Sequence, residues 1–422
     1  MLSTPRIDDH RIERRARMGW LACAKLSVLL CLAGCRSEET IVRVGTNSAM
    51  SGEEVAARIR QTYDSRFFEL EERFQSHYTV RIFRATGDTT NLDVVGRDIG
   101  RRLEGFLATI DSVNHVRDVE YAGQKEVSNM PRLTETQRSR RELFSENPEF
   151  LLHRRILFTA YKINDYGLHE GVLRVPYVRA CEHLATVDWA SFLLDSEVIR
   201  PYAAQTTNMV FWLKQIGVVD LEEPYTLVFK GFFMRSNDED FSAADYQAKL
   251  YGLTHFIIGE SQYYQRPVSP EKFAWILDYF DEHILEILTW SKPDIIAEIA
   301  LCFRLCGLDD HRAVGHAKQF LINAFDPKLG FIPSGGSTVD FNTSEHRNAV
   351  AYLVLYDWKE LHRGPHLRDG MLAMTPSIRA RLDLMETGEE SASLLVDRGL
   401  AKILHPIDDD GRALPEPEPA HH

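Results

Sequence analysis

Residues 94–110 read VVGRDIGRRLEGFLATI. Val95, Ile99, Leu103, Phe106 and Ile110 follow at steps of four, four, three and four, which lines them along one face of an α-helix. A half-buried strand would need apolar residues at every second position instead. The helical period recurs at residues 151–163 (LLHRRILFTAYKI), 177–194, 209–219 (MVFWLKQIGVV) and 243–260 (AADYQAKLYGLTHFIIGE). It returns at 273–288 (FAWILDYFDEHILEIL), 295–307 (IIAEIALCFRLCG), 316–325 (HAKQFLINAF) and 345–358 (EHRNAVAYLVLYDW). Strand-type alternation is scarce, so the fold class is all-α.

Two arrangements of these helices fit the length. A small N-terminal helical region (51–128) could precede a main α-helical domain (150–404), with the polar stretch 124–150 between them and a disordered acidic tail (405–422) behind. Alternatively the helices form one curved array of hairpins, closing in the limit into an α/α toroid. A short echo supports pairing: Tyr166-Gly167-Leu168-His169-Glu170 resembles Tyr251-Gly252-Leu253-Thr254-His255, 85 residues later. By analogy of fold alone with toroid enzymes that process glycans, a site would lie at one mouth of such an array.

The chain opens with a basic segment, MLSTPRIDDHRIERRARMG, and a short apolar run, WLACAKLSVLLCLAGC, about the length of a signal-peptide core. Met18 is a second candidate start. Leu32-Ala33-Gly34-Cys35 resembles the lipobox of bacterial lipoprotein precursors. That resemblance implies a signal peptide over residues 1–34, lipidation of Cys35, and a tether over residues 35–50. Arg36, standing where an aspartate would retain the protein at the inner membrane, implies the outer membrane, facing the periplasm. Lipid would be the membrane anchor, because no later apolar run reaches the length of a span. The plainer alternative is an N-terminal helix that ends by chance in these residues.

Removal of residues 1–34 takes away six Lys or Arg and three Asp or Glu, moving the net charge from −13 to −16. So acidic a chain lacks the clustered cations that hold nucleic acid. Three cysteines lie beyond the anchor: Cys181, Cys302 and Cys306. Cys302 and Cys306 stand four apart on a helix, where their side chains diverge, and they read as small buried hydrophobes.

Glu298 is the residue that asks for a function. It sits between Ile295, Ile296, Ala297, Ile299, Ala300 and Leu301, where an unpaired buried carboxylate costs several kcal/mol, on the order set by desolvation. Either the helix has a solvated edge, carrying Asp294, Glu298 and Cys302 at steps of four, or the carboxylate has a partner. Asp294 has a simpler reading as a helix-start acid after Pro293.

Two histidines are candidate partners. His255 lies among Leu253, Phe256, Ile257 and Ile258, with Gly252 and Gly259 on its own helical face. Those glycines suggest close approach by another backbone or a ligand. His346 follows a glycine- and proline-rich loop, GFIPSGGS, and an N-cap at Asn342-Thr343-Ser344. In the first helical turn the macrodipole would keep its ring neutral. The plainer reading makes Glu345 a dipole acid and His346 an exposed residue.

His255, Glu298 and His346 together suit a divalent ion such as zinc with an open position, and equally a metal-free site with histidine as base. Tyr251, Asp294, His169, Glu170 and Arg347 are candidate substrate contacts, and Tyr263 and Tyr264 candidate sugar or peptide platforms, although aromatics at such positions are commonly core. The segments YGLTHFIIGESQYYQ, PDIIAEI and EHRNAVAYLVL resemble a bacterial family known as a domain of unknown function, a likeness running from about Tyr166 to Gly364. It implies that the three segments form one unit. The expectation is a lipid-anchored envelope hydrolase or lyase acting on a glycan, peptidoglycan fragment or peptide. The alternative is a non-catalytic helical binding or assembly lipoprotein, whose buried polar groups fix helix register.

Overall fold

A computed structural model describes residues 50–112, 116–130, 134–334 and 339–387. The expected leader, Cys35 and the acidic tail lie outside these residues. The first helices are α1 (Gly52–Ser65), α2 (Glu72–Thr86), α3 (Leu92–Ser112), α4 (Val116–Asn129) and α5 (Glu135–Glu146). Next come α6 (Glu149–Asp165), α7 (Arg174–Ala185), α8 (Trp189–Leu193), α9 (Ser196–Gln215), α10 (Glu222–Phe229) and α11 (Ala243–Glu260). The last are α12 (Ala274–Trp290), α13 (Pro293–Leu305), α14 (Arg312–Ala324), α15 (Glu345–Leu355) and α16 (Pro376–Thr387). Among the described residues there is no β-strand, only an isolated bridge between Asp326 and Phe331. The all-α class therefore holds. No helix there is long and apolar enough to cross a membrane.

Local chemistry sets the helix starts. Ser51 and Glu54 exchange hydrogen bonds in a capping box, as do Thr134 and Gln137, each satisfying two backbone groups that a helix start leaves open. Pro293 occupies the first turn of α13, where its missing N–H costs nothing.

Neighbouring helices can be followed in sequence: α2 packs on α3, α3 on α6, α6 on α9, α9 on α11, α11 on α13, α13 on α15, and α15 on α2 again. This closed series of neighbours is compatible with the α/α toroid. Cross-contacts fix directions within it. Asn208 meets His255 and Gln215 meets Gly259; Tyr251 meets Asp294 and Thr254 meets Glu298. His346 meets Glu298, and Arg304 meets Leu353. Helices α9, α11, α13 and α15 therefore run parallel, with their polar residues at matching heights.

Buried apolar side chains from Val55 to Met385 form one main cluster, beside a small one of Val119, Ala122 and Leu152, so the main core does not divide at the polar stretch 124–150. That stretch is largely α4 and α5, and it sends Phe144 against Phe192 and Tyr202. The expected echo is not structural. Tyr166 to Glu170 end a helix, with Gly167 at φ 70°, whereas Tyr251 to His255 lie inside α11. Cys302 and Cys306 are free and buried, as their spacing implied.

Candidate functional site

Glu298, in the middle of α13, is 1% exposed, and it has the partners its position demands. Its Oε2 accepts a hydrogen bond from the Thr254 hydroxyl at 2.8 Å, and its Oε1 lies 3.2 Å from His346 Nε2. His255 Nε2 stands 4.0 Å from Oε2. Burial would raise the Glu298 pKa, but the hydrogen bond from His346, the electrostatic influence of the two imidazoles and the Thr254 hydroxyl outweigh it and hold the carboxyl below its ordinary value.

The two imidazoles are tuned in opposite directions. His255 is lowered by burial, which Glu298 only partly offsets. Its Nδ1 lies 2.7 Å from Asn208 Oδ1 on α9; since an amide oxygen only accepts, Nδ1 carries the proton and Nε2 keeps a free lone pair. His346 is pulled down by burial but raised overall by its hydrogen bond to Glu298 and that carboxylate's charge. The neutral His346 expected from the helix start is therefore corrected: an ionised carboxylate at hydrogen-bond distance outweighs partial charges at the end of α15.

A third histidine joins them. His77 on α2 lies with its ring 5.4 Å from that of His346, and its Nδ1 is 2.6 Å from Glu345 Oε2. Glu345 is not a solvated dipole acid; it is fully buried, and burial pushes its pKa up to about 7 against the pull of Arg81 and His346. The His77 imidazole is pushed well below its usual value by burial, then by the charges of Arg81, His346 and Lys162. Sequence reading missed His77, Arg81 and Asn208. Asn208 carried a signal, a lone amide before the apolar run MVFWL.

The imidazoles keep partial access to solvent: the His346 side chain is 38% exposed, His77 31% and His255 16%.

Of the expected substrate contacts, three assemble one helical turn from Glu298. Tyr251 donates to Asp294 at 2.5 Å, and Arg347 lies 3.7 Å from the same carboxylate while bonding Pro333 O. Asp294 is thus a half-buried partner, not merely a helix-start acid. His169 and Glu170 are not brought in; they stand 4.0 Å from each other, with Tyr177 against the His169 ring, because the echo that pointed to them is a helix end. Gly252 and Gly259 serve helix packing. An added Cβ would meet Phe229 at 2.6 Å and Phe211 at 2.6 Å respectively, so neighbouring side chains fill the space expected for a ligand.

Tyr263 and Tyr264 sit on a strained turn. Gln262, Tyr263 and Tyr264 have φ of 54°, 57° and 72°, left-handed values that cost non-glycine residues free energy. The turn is held by Arg84, which donates to Tyr263 O and Gly364 O and pairs with Asp165. Gln265 bonds Asp165 and Gly364 in the same knot.

Zinc does not fit this geometry. Among the described residues no group of three or more His, Cys, Asp or Glu side chains is placed to hold a metal ion. Glu298 turns a different oxygen to each imidazole, and one of them already accepts from Thr254.

The architecture is that of an all-α protein with a polar network strung across five neighbouring helices. The chain belongs to the family described as Domain of unknown function (DUF3541), whose profile matches residues 52–380. That match spans both sides of the polar stretch 124–150, in keeping with one continuous core. No curated protein and no solved structure matches the chain.

Proposed function

We propose that the chain is a lipid-anchored protein of the bacterial cell envelope, held at the outer membrane through Cys35, and an enzyme that cleaves a glycan or peptidoglycan fragment by general acid–base chemistry. The observation that carries the catalytic reading is Glu298: one buried, ionised carboxylate addressed by two imidazoles whose pKa values are moved apart. Such separation is how a site keeps an acid and a base ready at one pH. His255, neutral and with Nε2 free, takes the proton; His346, kept protonated by Glu298, gives one to the leaving oxygen. Glu298 orients both, and Asn208 fixes the His255 tautomer. Reaction is hydrolysis if His255 activates water, and elimination if it removes a carbon-bound proton.

The non-catalytic alternative calls for a dry, fully paired cluster. The water access of His346 and His77 argues against it. The test uses the soluble form lacking residues 1–35, incubated with envelope glycans and peptidoglycan. New reducing ends signal hydrolysis, and reducing ends with ultraviolet absorbance from a new double bond signal elimination. His255→Ala and His346→Ala should each slow turnover by about 10²–10⁴-fold. Cleavage that survives in both variants at the parent rate would remove the assignment.

A further inference from the structure

We infer that the polar network around Glu298 and His77 includes an oxyanion subsite, in which Arg81 and Lys162 bind a carboxylate carried by an acidic glycan. The inference rests on the acid–base reading above and names the substrate class of that same site.

Arg81 follows His77 by four residues on α2 and so shares its face. Its Nη1 donates only to His77 O, at 3.3 Å, and its Nε is buried without a hydrogen-bond partner. The guanidinium stands 5.7 Å from the Tyr264 ring centroid, on the strained turn. Among the described residues Arg81 makes no ion pair, yet its charge bears on His77, His255, His346 and Glu345. It is therefore central to the network without being neutralised by it.

Lys162 on α6 is in the same condition. Its ammonium donates to the Tyr166 hydroxyl at 3.1 Å and lies 5.1–5.7 Å from the ring centroids of Tyr166, Phe158 and Tyr161, with no carboxylate at ion-pair distance among the described residues. Burial lowers its pKa to about 8 against the pull of the Asp165 charge, and the charges of Arg84, Arg81 and Arg102 lower it further. The buried Tyr161, whose ring lies against Lys162, has a hydroxyl without a hydrogen-bond partner.

The fully buried Arg and Lys side chains of the described residues are neutralised. Arg84 has Asp165, Lys249 has Asp238 and Arg304 has Asp309. Arg81 and Lys162, both half-buried, have no carboxylate at ion-pair distance among the described residues, and the charges of both bear on His77. Two partly desolvated like charges without a counter-ion in contact destabilise the free protein, and a bound anion removes that cost. A carboxylate fits the fork of Arg81 bidentately. The same contact makes chemical sense beside His255, because neutralising a uronate carboxylate acidifies the adjacent C–H. In the balanced step, His255 Nε2 takes that proton, the C–H electrons form the ring double bond, the C–O bond to the neighbouring sugar breaks, and its oxygen receives the His346 proton.

The test is calorimetric titration of the detergent-solubilised full chain with tri-galacturonate, neutral galactotriose and inorganic phosphate, at low and high salt. The acidic trisaccharide should bind at least about 10-fold tighter than the neutral one. Arg81→Met and Lys162→Met should each remove about 10-fold of that affinity, on the scale of one charged contact, while Arg81→Lys restores part of it. Circular dichroism of each variant reports whether it is folded; should Arg81→Met not fold, Lys162→Met and the salt dependence decide alone. Equal binding of acidic and neutral sugar, phosphate binding tighter than the acidic sugar, no binding of any probe, or folded variants with unchanged affinity each overturn the subsite. Binding is read without turnover, so acidic sugar bound but never cleaved supports the subsite and removes the catalytic proposal alone.

Discussion

Replacing Glu345 with glutamine should make the protein more tolerant of alkali. Glu345 opens α15, is fully buried, and has neither carboxylate oxygen in a hydrogen bond of good geometry, although Oε2 lies 2.6 Å from His77 Nδ1. Its pKa rises from 4.5 to about 7 because burial penalises the charge more than Arg81 and His346 reward it. A raised carboxyl pKa means that the folded state binds more protons than the unfolded one, so its contribution to stability is intact below about pH 4.5 and is lost as pH rises through 7. At about 1.4 kcal/mol for each pH unit between the two values, the ionised side chain costs the folded state about 3 kcal/mol at high pH. Glu345→Gln removes the charge and keeps the shape. The loss of stability between pH 5 and pH 8 should therefore be smaller in the variant than in the parent, by about 2–3 kcal/mol. Urea unfolding of both proteins at the two pH values measures this difference, in which any constant penalty of the substitution cancels. Equal pH dependence in the two proteins would refute the assignment of a neutral, buried acid at this position.

Three further outcomes follow from named contacts. Thr254→Val removes the hydroxyl donor to the Glu298 carboxylate and should cost about 2 kcal/mol in chemical denaturation, with the Glu298 pKa rising; a fully stable variant would contradict the hydrogen bond. Gly259→Ala places a methyl 2.6 Å from the Phe211 ring and should lower stability by about 1–3 kcal/mol through overpacking, whereas an unchanged melt would show that α9 and α11 pack less closely than described. His153 and His183 face each other at 3.2 Å under Phe150 and Trp189, and burial lowers both, His153 to about 4. Stability from this neutral pair is present above about pH 6.5 and lost as pH falls towards 4, by about 3 kcal/mol for His153; His153→Phe should flatten that acid limb.

The helices were legible because each buries one stripe, and a stripe leaves a period in the sequence. Residues 243–260 were read as one helical segment, and α11 has those bounds. Glu298 was legible for the complementary reason, a charge where the period demanded an apolar group. His255 and His346 followed as the histidines nearest to apolar or glycine-rich context. What stayed hidden depended on contacts between distant segments. Glu345 looks like any acid at a helix start, and only the packing of α2 over α15 desolvates it. His77 and Arg81 lie in ERFQSHYTVRIFRAT, a segment so polar that nothing marks which of its charges turn inward. His169 and Glu170 rested on a five-residue echo, and similar local sequence ends a helix at 166–170 but lies inside one at 251–255.

The central claim is that one ionised carboxylate, Glu298, sets two imidazoles apart. Nuclear magnetic resonance of ring-labelled histidines, with His255 and His346 assigned by substitution, measures it directly as a titration of parent and Glu298→Gln proteins. In the parent, His346 should titrate above 6.5 and His255 below it; in the variant both should fall, His346 further, because it loses a hydrogen bond as well as a charge. Two histidines that titrate together near 6.5, unmoved by the substitution, would contradict the account.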